Sequence, residues 1–203
     1  MTPRFVARQL SHPRGRFGCV IGWLMNRHNA NMNAFALRQL DPKHEDRILE
    51  IGFGGGVTLK PLIENGAFVA GVDRSHDMVE RAKKTWRKAI TDGRAEFREG
   101  SVEALPFETA SFTKVCTVNT IYFWQSLDAG FTQIHRTLSA GGRVAVGFLP
   151  KDRMDRMGLP ADIFTSRMPG EVVQSMAEAG FQNPRVLRPA PATPWNVIVA
   201  DKV

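Results

Sequence analysis

A chain of 203 residues, 43% hydrophobic and 23% charged, is long enough to bury one sizeable core and too short for a second full domain. Two cysteines, Cys19 and Cys116, exclude a disulfide framework; with no ligand cluster beside either they suggest no metal site and suit a reduced, cytoplasmic setting. The formal net charge of +7 keeps nucleic acid, an anionic surface and an acidic substrate in play as partners.

The first forty residues carry arginines at 4, 8, 14, 16, 27 and 38 and no acidic residue. Such an arm reads as a solvated, arginine-rich surface or as an anion-binding one, and no RNA-binding module accompanies it. The apolar run from Phe17 to Met25 follows Arg14-Gly15-Arg16 like the start of a secretion signal. It is too short to span a bilayer and continues into Asn26-Arg27-His28 without a small-x-small cleavage site, so no stable membrane insertion is expected. Residues 17–40 read instead as one or two amphipathic helices with Val20, Leu24, Met32, Phe35 and Leu40 on the packed face.

Beyond Asp41-Pro42 the order of elements becomes regular. Ile48 to Gly52 forms a buried strand that ends in Glu50-x-Gly52-x-Gly54-x-Gly56, and Val57 to Asn65 forms a helix in which Pro61 comes early enough to be tolerated. Glycines at alternate positions remove every Cβ between main chain and ligand, and the following helix start adds free N–H donors. A dinucleotide loop would need G-x-G-x-x-G, but the third position in that register is Val57. The second strand, Ala67 to Asp73, ends in an acid about twenty residues after the glycines, where a carboxylate can accept from both ribose hydroxyls. A helix cap is the other role open to Asp73, although Ser75 can cap the helix through Met78, Ala82 and Trp86 alone. A third, more exposed strand spans Ala95 to Gly100 and leads into Ser101-Val102-Glu103-Ala104-Leu105-Pro106-Phe107.

These residues resemble the class I S-adenosylmethionine (SAM) dependent methyltransferases, in particular the small-molecule enzymes related to the ubiquinone and menaquinone C-methylating ones. The resemblance covers residues 45 to 148 strongly and the flanks in outline. It implies a Rossmann-like α/β fold with a seven-stranded sheet and a helical N-terminal segment. It also implies SAM as cofactor, S-adenosylhomocysteine (SAH) as product, and the following placements. Glu50 lies near the aminocarboxypropyl end with Gly52, Gly54 and Gly56 beside it, and Asp73 and Arg74 lie at the ribose. Ser101, standing where the family has Asp, and the Val102 N–H face the adenine. Met78 packs either on the adenosine or in the helix core.

The fourth strand, Thr113 to Val118, ends in Asn119-Thr120-Ile121-Tyr122-Phe123-Trp124. In the family this strand end abuts the transferring methyl, which puts Asn119, Tyr122 and Trp124 at the mouth of the site. Asn119 and Tyr122 also echo the signature of amino-group methyltransferases, without its prolines. A helix over Leu127 to Leu138 turns at Ala140-Gly141-Gly142 into a fifth strand, Arg143 to Phe148, and L-S-A-G-G-R-V resembles the family's late signature. His135, in mid-helix, reads as a surface or packing residue. Residues 149–168 are rich in methionine and serve as a lid over an apolar substrate or as core filling. A helix from Glu171 to Gly180 and two closing strands, Pro184 to Leu187 and Trp195 to Asp201, complete the edge of the sheet.

The chain divides into a helical N-terminal lid (1–44), a SAM-binding core (45–148) and a substrate-side loop with the C-terminal edge (149–203). The expected reaction is in-line attack by a small, hydrophobic or aromatic acceptor on the sulfonium methyl, driven largely by proximity in a dry pocket. Where the acceptor must lose a proton, Tyr122, His28, His12 or His76 could take it. The expected assembly is a monomer or homodimer. A nucleic-acid methyltransferase, a non-catalytic SAM-binding protein and a nicotinamide oxidoreductase are the competing readings.

Overall fold

The computed structural model describes residues 29–203. Seven strands, β1 (Arg47–Ile51), β2 (Phe68–Asp73), β3 (Ala95–Glu99), β4 (Phe112–Val118), β5 (Leu138–Phe148), β6 (Gln182–Leu187) and β7 (Asn196–Asp201), form one sheet in the order β3-β2-β1-β4-β5-β7-β6. β1 to β5 run parallel, and β7 is antiparallel to both β5 and β6. The chain steps outward from β1 to β3 and returns on the far side of β1 as β4. The strand order therefore reverses between β1 and β4 and opens a crevice at their carboxyl ends.

β1 and β2 bury all but one residue each, because parallel strands are covered on both faces, and hence they read as largely apolar runs broken only by Glu50 and ended by Asp73. Successive residues still point to opposite faces. Leu49, Ile51, Ala70, Val72, Val144 and Val146 meet α5 (Leu127–Thr137), α6 (Lys151–Arg156) and α7 (Pro169–Glu178). Ile48, Val69, Cys116 and Ala145 meet α1 (Ala30–Leu40), α2 (Leu59–Glu64) and α3 (His76–Thr85). β6 is mostly exposed, and Pro184 is accommodated there because an edge strand leaves one row of N–H groups unpaired.

In α1 the buried residues Met32, Phe35, Ala36 and Leu40 follow helical spacing, and Phe35 lies 5.6 Å from the Trp195 ring. Met32 Sδ and Val118 both abut Gly147, near the carboxyl ends of β5 and β4. Asp41, past the other end of the helix, lies within reach of the charges of Lys114 and Arg143. α1 thus covers the sheet and carries the chain from its carboxyl edge to its amino edge. Val20, Leu24, Cys19 and the rest of the expected lid before residue 29 lie outside the described residues.

Several boundaries differ from the sequence expectation. The turn at Ala140-Gly141-Gly142 is a left-handed kink at Gly141 (φ +74°) within a longer β5, whose register with β4 shifts between Phe112 and Lys114. Lys202 accommodates the kink by donating to the His135 and Leu138 carbonyls at 2.7 Å each. The helix expected through Trp86 breaks there, and α4 (Arg87–Thr91) follows. Residues 149–168 hold α6, bury Met154 and Phe164 in the core and leave Met157 exposed. No helix among the described residues is long and apolar enough to cross a membrane.

Candidate functional site

β1 delivers the glycine loop to the crevice, and β2 holds it there. Gly52 (φ +70°) donates to the Val72 carbonyl at 2.7 Å, and a Cβ on it would collide with the Thr120 methyl. Gly54 (φ +47°) differs, because a Cβ built there meets nothing within 4 Å. Its bare backbone faces open space, the condition a closely approaching ligand needs. Gly56 (φ +73°) closes the turn by donating to Phe53 O at 2.8 Å.

Asp73, at the end of β2, ties two pieces of this surface together. Its Oδ2 accepts from the Gly54 N–H at 2.8 Å and its Oδ1 from the Ser75 N–H at 2.9 Å. The Ser75 side chain does not cap α3, so the expectation that it would cap alone is corrected. The carboxylate of Asp73 both turns the chain into the helix and fixes the glycine loop. Each carboxylate oxygen can accept more than one donor, so these two backbone bonds do not by themselves bar a ligand hydroxyl.

Glu50 is buried beneath the loop. The Thr58 hydroxyl donates to Oε1, and Oε2 is buried without a hydrogen-bond partner among the described residues. Burial pushes the Glu50 carboxyl up to about 8, against the pull of the Thr58 hydrogen bond and with a smaller push from the Asp73 charge. A buried acceptor that lacks a donor is uncommon in folded proteins. Here the missing partner would be a cationic donor, able to draw the carboxyl back to its ionised form, whereas a pyrophosphate would meet the Asp73 carboxylate that already holds the Gly54 N–H. These acceptors fit a ligand with an ammonium, a sulfonium and ribose hydroxyls.

Past β4 the chain enters a left-handed residue, Asn119 (φ +59°), whose N–H donates to Gly147 O at 2.8 Å. The Tyr122 hydroxyl donates to Asn119 Oδ1 at 3.1 Å and accepts from the Leu149 N–H at 2.5 Å. Tyr122 is buried, and burial raises its pKa despite the Leu149 hydrogen bond. It links two loops and is poorly suited to take a proton. Trp124, expected at the mouth, is buried against Phe131 at 5.2 Å and donates from Nε1 to Thr120 Oγ1 at 3.2 Å. Beside Tyr122 the half-buried Phe123 packs 4.9 Å from the buried Phe164.

Arg74 donates from Nη1 to Phe123 O at 3.2 Å, bringing the β2 turn to the β4 turn. Ser101 is half-buried in a tight turn that pairs it with Ala104; Val102 is buried. Met78 is buried and lines a groove of about 330 Å³ with Phe53, Gly54, Ala82 and Trp86, which neither Asp73 nor Ser101 lines. His76 Nδ1 lies 2.9 Å from Glu99 Oε2, both exposed. His135 packs edge-on to Phe181 at 5.1 Å, as a packing residue. His12 and His28 lie outside the described residues. No cluster of His, Cys, Asp or Glu among the described residues could hold a metal. Sequence reasoning missed Thr58 and Thr120, which secure Glu50 and Gly52, and Glu103, whose Oε1 accepts from the Gln125 N–H at 2.8 Å. Hydroxyl and carboxyl groups beside turns carry no periodic signal, so only the fold reveals them.

A family model described as a methyltransferase domain matches residues 49–146. The uncharacterized methyltransferase YdaC of Bacillus subtilis is 30% identical over 135 residues, covering 66% of this chain and 72% of that protein. Demethylmenaquinone methyltransferase of Chlorobaculum tepidum is 32% identical over 108 residues, 53% of this chain, which spans only 42% of that relative. Among solved structures, geranyl diphosphate C-methyltransferase from Streptomyces coelicolor, determined with Mg²⁺, geranyl diphosphate and SAH, superposes with a TM-score of 0.69. It is 16% identical over 96% of this chain and 87% of that one, a likeness of fold.

Proposed function

We propose that this chain, which belongs to the class I SAM-dependent methyltransferases, methylates a small hydrophobic or aromatic molecule at the carboxyl edge of its sheet. The single observation that carries the cofactor placement is the orphaned Glu50 Oε2 beside a glycine loop clamped by Asp73. When bound, SAM supplies an activated methyl group, so the chain's own contribution is to bind, orient and exclude water.

In this reading Glu50 holds the cationic end of the amino-acid moiety, with Gly52, Gly54 and Gly56 offering bare backbone. Asp73 accepts the ribose hydroxyls, and Arg74 borders them. Ser101 and the Val102 N–H face the adenine, Met78 supports the loop from below, and Asn119 stands where the methyl leaves. The acceptor would lie over Phe123, backed by the buried Phe164, and over Met168, which is 46% exposed. Tyr122 orders this surface through its two hydrogen bonds, and proton removal, where the acceptor needs it, falls to His28 or His12.

Calorimetry tests the cofactor half: SAH should bind the native chain, and Asp73→Ala should remove the binding heat. Labelled SAM with fractionated cell extract tests the acceptor half. A labelled product of polar character alone would refute the hydrophobic acceptor.

A further inference from the structure

We propose that Arg167 is a specificity-determining residue for an acceptor that carries an acidic head group, a carboxylate or a phosphate, on an apolar body. The inference rests on reading the carboxyl edge as the methyl-transfer site. Residues 165–167 run beside the turn after β4: Thr165 N–H donates to Tyr122 O at 2.9 Å, and Arg167 O accepts from the Lys151 N–H at 2.9 Å. Arg167 Nη2 donates to Trp124 O at 3.0 Å, while its Nε–H is buried without an acceptor among the described residues. From the turn after β2, Arg74 donates to the preceding carbonyl, Phe123 O. Two guanidiniums from separate elements thus converge on adjacent carbonyls, and neither forms an ion pair among the described residues.

A half-buried guanidinium given one neutral carbonyl is under-partnered, since its donors match a carboxylate or phosphate in bidentate fashion. Burial lowers the Arg167 pKa, and Glu171, the one acid that acts on it, offsets this only in part. That acid is committed elsewhere, because Glu171 Oε2 accepts from the Met168 N–H at 3.1 Å. The apolar half of the ligand has its surface next door: the exposed Met168 follows Arg167 in the chain, and the half-buried Phe123, backed by the buried Phe164, precedes Trp124. An apolar molecule with an acidic end would lay its body on these side chains and its head on Arg167.

The test titrates the SAH-saturated full chain with decanoate, decyl phosphate and 1-decanol by calorimetry. Charge-assisted hydrogen bonds of the usual strength make both anions bind about tenfold more tightly than the alcohol, with an advantage that shrinks as NaCl is added. Arg167→Met should erase that advantage and leave decanol binding unchanged, and Arg167→Lys should restore part of it. Equal binding of anions and alcohol to the native chain, or no binding of either anion, overturns the proposal. An equal fall for anions and alcohol in Arg167→Met also overturns it, by assigning Arg167 to holding the loop. Failure of SAH itself to bind would instead sink the methyltransferase site on which the inference rests.

Discussion

Replacing Glu50 with glutamine separates what this carboxyl does for binding from what it does to folding. The group is fully enclosed, and its pKa rises from the ordinary 4.5 to about 8 chiefly through desolvation. Between those values the folded chain keeps a proton that the unfolded chain releases. Stability is therefore undiminished below about pH 4.5 and declines as pH rises toward 8. At 1.36 kcal/mol per pH unit the interval gives a ceiling of roughly 5 kcal/mol, reduced in practice by relaxation and water penetration. An amide at this position never ionises, so Glu50→Gln should match the native chain near pH 4.5 and exceed it by up to that ceiling at pH 8.5. Urea unfolding at both pH values reads the difference. The native chain should also release close to one proton on binding SAM at pH 7, seen by calorimetry in buffers of different ionisation enthalpy. The variant should release none and bind more weakly. A stability change in Glu50→Gln that is the same at both pH values, or larger in acid, would refute the reasoning.

Gly54→Ala should lower stability by only about 1 kcal/mol, the expense of a left-handed non-glycine residue, since no protein atom opposes its Cβ. Its SAH affinity, measured by calorimetry, should fall at least tenfold because the methyl occupies ligand space. Tyr122→Phe should lose about 1–3 kcal/mol in urea unfolding by leaving the buried Leu149 N–H without an acceptor. The pH profile of its methyl transfer should stay unchanged, whereas a shifted profile would reinstate Tyr122 as a base.

The sheet was legible because β1, β2 and the second half of β5 are largely apolar runs bounded by glycine, proline or an acid, and because Glu50 and Asp73 stand at strand ends where open α/β sheets place ligands. Boundaries were read less well where two elements share one residue's conformation. The left-handed Gly141 resembles a free turn until β4 pairs on both sides of it, and Trp86 continues an apolar stripe although the helix breaks there. The aromatic residues after β4 were misjudged for a different reason. Proximity to the strand end fixes where the backbone emerges, but packing decides direction: Trp124 turns inward because Gly130 leaves room for its ring. Arg167 carried no sequence signal, since a single arginine in a methionine-rich stretch gains meaning only when the fold brings it to Trp124 O.

The choice between a sulfonium nucleoside and a dinucleotide can be argued from charge as well as from glycine spacing. A dinucleotide loop relies on backbone N–H groups and a helix end to meet two phosphates, and an acid serves only at the distant ribose. Here the loop's own N–H at Gly54 is already engaged by Asp73, and a second carboxyl, Glu50, lies directly beneath. A pyrophosphate would have to displace one acid and sit beside another. A ligand bearing a sulfonium and an ammonium would instead relieve the tension between them: it would provide the donor that Glu50 Oε2 lacks and draw the carboxyl back toward its ionised form. Binding a cation would thus offset the cost of burying Glu50, and on the proposed placement this would select the cofactor's charge independently of its shape.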